Sequence, residues 1–177
     1  AMSASMLALL DYSDAVSGKT SVDPSKSKRK VLGIDIEIRE HNRLAIEQHP
    51  MSHLIQMIQG SSIEPKIVQE VQKVAEDYQQ ILVCLDSNHT HDHVFAELQA
   101  YAPLASVGSY CVVFDTIIED LPATMFPDRP WSIGNNPKTA VKEYLTSHPE
   151  FEIDEGIQNK LLISVAPNGY LKRVATG

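Results

Sequence analysis

The chain of 177 residues has little of what several protein classes require. Its two cysteines, Cys84 and Cys111, are too few for a disulfide framework, and both fall inside apolar runs where a thiol packs as a small hydrophobe. That usage belongs to a reducing compartment, so a cytoplasmic location is expected. Basic residues are outnumbered, 15 Lys and Arg against 23 Asp and Glu, and the formal charge of −8 opposes a polyphosphate partner. Aromatic residues make up 6% with one Trp, too few to build a stacking surface for bases. No nucleic-acid partner is expected, and a neutral or cationic ligand fits better. No apolar run approaches the roughly 18 to 20 residues of a membrane span, and residues 1–10 lack the basic flank of a signal peptide, so no membrane partner is expected either.

What is present reads as an α/β fold. Apolar content of 43% is globular, and the length fits one domain, 1–177, able to bury a core without staples. Residues 3–12 form a short apolar helix candidate. Residues 18–30 are rich in Ser and Lys without hydrophobic period and read as a flexible loop. After it the pattern alternates: strand 31–36, a helix near 42–48, strand 53–58, a helix over 62–78, strand 80–85, a helix over 90–101 and strand 109–114. Such βαβ alternation demands a mostly parallel sheet covered on both faces. Ser62 is placed to cap the helix bearing Ile67, Val68, Val71 and Val74, and Thr90 the helix whose inward face is Val94, Leu98 and Tyr101. Residues 119–136, with Pro122, Pro127, Pro130, Phe126 and Trp131, form a long loop of the kind that acts as a lid. A helix over 138–147 then leads to two strands, 151–153 and 161–165, expected to pair antiparallel.

The chemistry collects where these strands end. In an open α/β sheet the crevice beyond the carboxyl ends of the strands is where ligands bind. Three apolar runs end in an aspartate: Asp35, Asp86 and Asp115. A strand-end carboxylate such as Asp35 can accept hydrogen bonds from both hydroxyls of a ribose, or can simply cap the next helix. Asp86 and Asp115, on different strands, would repel across one crevice unless a divalent cation lies between them, although two solvated loop acids remain an equal alternative. The segment from Asp86 to His93 also carries His89, His91 and His93. A three-His zinc site competes with the carboxylate site, and the absence of a nearby thiolate argues against it. A nicotinamide-dependent oxidoreductase would also use a strand-end acid on ribose, but no G-x-G-x-x-G follows any strand.

The segments Gly33-Ile34-Asp35-Ile36-Glu37-Ile38-Arg39 with His41-Asn42-Arg43, Gly60-Ser61-Ser62, Leu85-Asp86-Ser87-Asn88-His89-Thr90-His91, Gly108-Ser109-Tyr110 through Asp115-Thr116, and Pro167-Asn168-Gly169-Tyr170-Leu171 together resemble the cephalosporin hydroxylase family. The fold and cofactor of that family are those of class I S-adenosylmethionine-dependent O-methyltransferases. The resemblance implies a Rossmann-like sheet with a C-terminal antiparallel hairpin, S-adenosylmethionine and Mg2+ as cofactors, and a small-molecule or sugar hydroxyl as acceptor; a homo-oligomer is compatible with it. It further implies that Asp35 binds the cofactor ribose, that Gly60 and Ser61 lie near the adenine, and that Asp86 and Asp115 hold the magnesium ion, with Asp86 also beside the cofactor. His89 then faces the reacting centre as general base, and Asp86 and His89 form the catalytic pair.

Two departures stand out. Related metal-dependent enzymes carry a third ligand beside the second strand-end aspartate, where this chain has Thr116 after Asp115; Thr116 or Glu119 is the candidate. Such folds also begin with a strand and a Gly-rich turn, and residues 3–12 resemble the helix that follows that turn. The chain therefore reads as N-terminally truncated, and a non-catalytic, nucleoside-binding remnant is the alternative to an active methyltransferase.

Overall fold

The computed structural model describes residues 2–19 and 27–177; most of the Ser- and Lys-rich segment read as flexible, residues 20–26, lies outside the described residues. The chain forms two compact units, Ala1–Ser62 and Ile63–Gly177.

In the first unit, helix α1 (Met2–Val16) precedes strand β1 (Val31–Asp35), helix α2 (Glu40–Glu47) and strand β2 (Ile55–Gln59). The Arg29 guanidinium donates to the carboxylates of Asp11 and, at 2.7 Å, Asp14, which ties the last turns of α1 to the segment entering β1. β1 and β2 pair in parallel from Val31↔Ile55 to Asp35↔Gln59, the geometry that a short α-helical crossover permits.

The second unit contains α3 (Pro65–Ala75), β3 (Val83–Leu85), α4 (His91–Tyr101), β4 (Tyr110–Val113), α5 (Pro137–Leu145), β5 (Phe151–Ile153), α6 (Glu155–Leu161) and β6 (Tyr170–Arg173). Its sheet runs β3-β4-β6-β5, with β3 and β4 parallel and β6 antiparallel to both β4 and β5. The fold is thus α/β, with parallel strand pairs and a C-terminal antiparallel portion, as the sequence pattern predicts. Leu98, Val113, Val141, Tyr144 and Leu171 are buried in its core. Val94, Leu98 and Tyr101, spaced one helical turn apart, are the buried face of α4. Gly169 is required by close approach, because a Cβ there would lie 2.1 Å from the carbonyl oxygen of Val113.

Three expectations are corrected. The antiparallel partner of β5 is β6; the run 161–165 is no strand, and Leu162 and Ile163 in it are 85% and 92% exposed. The Asp154 carboxylate accepts from the backbone N–H of Gly156 and Ile157 and starts α6, which ends at Leu161, and Leu162 at φ 63° then turns the chain out of an extended path. Ser62 does not cap α3, whose N-cap is Glu64 followed by Pro65 at the first turn, a position where the missing N–H of proline costs nothing. Thr90 occupies the N-cap of α4 without a side-chain cap bond; the Asn88 side chain accepts from the Thr90 N–H instead. No helix among the described residues is long and apolar enough to cross a membrane.

Candidate functional site

The register Leu85↔Val113 sets the ends of β3 and β4 side by side, so the residues leaving them meet. Asp86 follows β3 directly. Asp115 lies two residues beyond β4 in the left-handed region, φ 55°, and this turns the chain sharply away from the strand. His89 stands between the two acids, its Nε2 3.0 Å from Asp115 Oδ2 and 3.7 Å from Asp86 Oδ1. One ligand atom from each of the three residues lies within 4.8 Å of the other two. Solvent access grades across the cluster: the Asp86 side chain is 61% exposed, that of Asp115 29% and that of His89 21%. Burial raises the Asp115 carboxyl above the ordinary aspartate value, the nearby His89 pulls it down and the Asp86 charge pushes it up further.

A cavity of about 420 Å³ opens against His89 and Asp115. Ile117, Ile118, Met125, Phe126, Pro127 and Trp131 give it apolar walls, and Asp128 and Arg129 add charge. Residues 119–136 therefore supply most of one wall. The Trp131 ring meets the His89 imidazole edge-on at 4.8 Å, and the Arg129 guanidinium lies 5.2 Å from the Trp131 ring centre.

This loop is latched to itself. The Glu119 carboxylate accepts from the Gly134 N–H at 2.8 Å and from the Asn136 amide, and the Gly134 N–H holds its pKa below the usual carboxylate range. Asn136, fully buried, also donates to the Ser132 carbonyl and forms a capping box with Thr139 at the start of α5.

Thr116 and Glu119 are thus engaged away from the two aspartates. The Thr116 hydroxyl, buried, donates to the Pro167 carbonyl at 2.7 Å, because the left-handed turn at Asp115 sends the next side chain inward. The group beside the acids is His89. The other two histidines are paired elsewhere: His91 with Thr139 Oγ1 at 2.8 Å and Glu143 at 3.0 Å, and His93 near Glu97 at 3.6 Å. The three-His arrangement is not brought together.

Glu97, 2% exposed, accepts from the Ser87 hydroxyl at 2.7 Å and so fixes the residue that follows Asp86. Neither it nor Asn135 and Asn136 was identified from sequence. A signal existed for Glu97 and Asn136 but not for Asn135: an acid three residues after Val94 on an otherwise apolar helix face, and an Asn-Pro-x-Thr N-cap pattern.

In the first unit the structure brings Asp35 and Gly60 together. Asp35 ends β1 beside Gln59, the Gly60 N–H donates to the Asp35 carbonyl at 2.9 Å, and Asp35 Oδ1 accepts from the Glu37 N–H at 2.9 Å. Ser61 follows, half-buried.

Acids and an imidazole are thus gathered at the carboxyl ends of adjacent parallel strands of an α/β domain, the place where open α/β sheets bind ligands, with a cavity against two of the three. The chain belongs to the rhamnosyl O-methyltransferase/CmcI family, whose model matches residues 1–174. This agrees with the cephalosporin hydroxylase resemblance carried by the motifs. It is 34% identical over 118 residues to the rhamnosyl O-methyltransferase of Mycobacterium tuberculosis, covering 66% of this chain and 46% of that protein. It is 29% identical over 146 residues to the rhamnosyl O-methyltransferase of Mycobacterium leprae, covering 81% of this chain and 59% of that one. The chain thus spans about half the length of these relatives. Among solved structures, the MycE methyltransferase from the mycinamycin biosynthetic pathway, in complex with Mg and SAH, aligns with a TM-score of 0.46 and 16% identity over 83% of this chain and 38% of that one.

Proposed function

We propose that this chain serves an S-adenosylmethionine-dependent O-methyltransferase that acts on a hydroxyl of a sugar or other small molecule. The observation that carries this reading is the cluster of Asp86, His89 and Asp115, of which His89 and Asp115 line the cavity walled by residues 117–131, in a chain whose family and curated relatives are named for O-methyl transfer. The donor set suits a divalent cation, since two carboxylates converge where only one imidazole separates them. Asp86 and Asp115 are the residues that would hold it, and a cation bound there lowers the pKa of a coordinated hydroxyl.

His89 is the proposed base. Its Nε2–H donates to Asp115 at 3.0 Å, which orients the ring, leaves Nδ1 as the nitrogen that takes the proton of an acceptor hydroxyl, and stabilises the imidazolium so formed; His89 and Asp115 both line the cavity. The apolar walls exclude water from that proton transfer and bind the body of the acceptor, which brings its hydroxyl into register with the base. Asp35, Gly60 and Ser61 are proposed to bind S-adenosylmethionine, Asp35 through the ribose hydroxyls.

Calorimetric titration of the chain with S-adenosylmethionine, with and without magnesium, tests the reading. Saturable binding that magnesium does not abolish, weakened in Asp35→Ala, supports it. A folded chain that binds neither S-adenosylmethionine nor S-adenosylhomocysteine under either condition would overturn it.

A further inference from the structure

Asn135 joins two parts of the site that sequence distance keeps apart. Its Oδ1 accepts from the backbone N–H of His91 at 2.9 Å, at the turn that carries His89. Its Nδ2 donates to the carbonyl of Pro130 at 2.9 Å, the residue before Trp131. A single planar amide therefore spans from the His89 turn to the Trp131 segment, with the acceptor end on one and the donor end on the other. Its backbone is fixed as well, because Asn135 and Ser132 exchange both of their backbone hydrogen bonds, at 3.0 and 3.1 Å. Trp131 in turn meets the His89 ring at 4.8 Å and lines the cavity with it.

We infer that Asn135 is a positioning residue that holds Trp131 against His89 and thereby sets the width of the acceptor cavity. The inference rests on the proposed function only in calling the cavity an acceptor site; the strut itself is a property of the ligand-free chain. No other side chain in the described residues bonds both the His89–His91 turn and the 130–131 segment. Asp is the discriminating replacement. It keeps an oxygen for the His91 N–H and sets a second oxygen against the Pro130 carbonyl, so it preserves the anchor on α4 and breaks the arm to Trp131. Ala removes both.

Trp131 is the single Trp of the chain, so its fluorescence reads its own surroundings without interference. Emission and acrylamide quenching are measured on the full chain for the unmodified protein, Asn135→Ala and Asn135→Asp, with far-UV circular dichroism melts beside them. Both variants should quench roughly twofold more readily and emit further to the red, as the ring gains water. The His91 amide should exchange faster in Asn135→Ala and stay protected in Asn135→Asp, a split that a general loss of stability does not produce. Should Asn135→Ala fail to fold, Asn135→Asp alone decides, since it retains the helix anchor. Quenching and emission unchanged in a folded variant overturn the strut. A changed Trp131 signal in a chain that binds no S-adenosylmethionine leaves the strut standing and removes the acceptor role instead.

Discussion

His89 Nε2 and Asp115 Oδ2 lie 3.0 Å apart, and the pair closes a cluster whose third member, Asp86, is 3.7 Å from the same nitrogen. Each group is set by a different local device: the left-handed turn at Asp115, the Asx bond from Asn88 that begins the helix after His89, and the buried Glu97 that fixes Ser87 beside Asp86. Changing one member alters the electrostatics of the other two.

Asp115→Asn should separate stability from cation binding. A carboxyl whose folded pKa lies above its unfolded value favours folding when protonated, and that advantage is lost as pH rises through the folded pKa. Burial raises Asp115 in this way, so at neutral pH its charge is a cost to the cation-free protein. Asn tolerates the left-handed backbone at this position. The melting temperature of the cation-free protein should therefore rise. Mn2+ affinity, followed by calorimetry, should fall by more than the roughly 10- to 100-fold that loss of an outer-shell partner costs. A variant that binds Mn2+ as well as the unmodified chain removes Asp115 from the cation site.

Cation affinity should also decline with acid earlier than an ordinary carboxylate site. The cation competes with a proton on Asp115, whose carboxyl titrates above the usual range of about 4. Mn2+ dissociation constants measured from pH 7.5 down to 4.5 should weaken well before pH 4; a flat profile to that point contradicts a raised Asp115 in the site.

Glu119→Ala tests latch against ligand. Its carboxyl is held low mainly by the Gly134 N–H, so the stability it contributes is present above the unfolded pKa and is lost as pH falls through the folded one. The variant should lose about 1 kcal/mol at neutral pH and exchange amides in 119–136 faster. Mn2+ affinity within about twofold of the unmodified chain fits a latch, whereas a loss comparable to Asp115→Asn makes Glu119 a ligand.

Gly169→Ala should destabilise the second unit by about 3 kcal/mol, because its methyl would sit 2.1 Å from the Val113 carbonyl oxygen. The urea midpoint reads the change; an unchanged midpoint means that the 166–169 turn relaxes freely.

Asp35→Ala should weaken S-adenosylhomocysteine binding by about 2 to 3 kcal/mol through loss of a charge-assisted contact. Unchanged affinity in a folded chain withdraws the ribose role from Asp35.

Much of the architecture was legible because burial leaves a period in the sequence. The spacing of Val94, Leu98 and Tyr101 marks the inward face of α4, and the apolar runs before Asp35, Asp86 and Asp115 are β1, β3 and β4. The run 161–165 misled, since residue type does not distinguish an exposed apolar segment from a strand, and the positive φ of Leu162 breaks any extended path there. The acids of the site were readable as strand ends. His89 was named beside Asp86 as well, but the removal of Thr116 from the acids was not legible, because backbone handedness at Asp115 decides that Thr116 turns inward. Asn135 makes its two contacts across separate loops, so no local pattern announces it.

The placement of β6 ties the site to a part of the sequence far from it. β6 is an inner strand of its sheet, seated between β4 and β5, and Cys111 pairs with Leu171 across the intervening α5, β5 and α6. Without β6 one edge of β4 would have unpaired backbone N–H and C=O groups, and pairing it costs the closure entropy of a long loop. The segment that leads into β6 also clasps the Asp115 turn, the Thr116 hydroxyl donating to the Pro167 carbonyl. The geometry around Asp86, His89 and Asp115 therefore leans on a contact that spans 51 residues of sequence, so a substitution that loosens the 166–169 turn disturbs the site without touching any of its side chains.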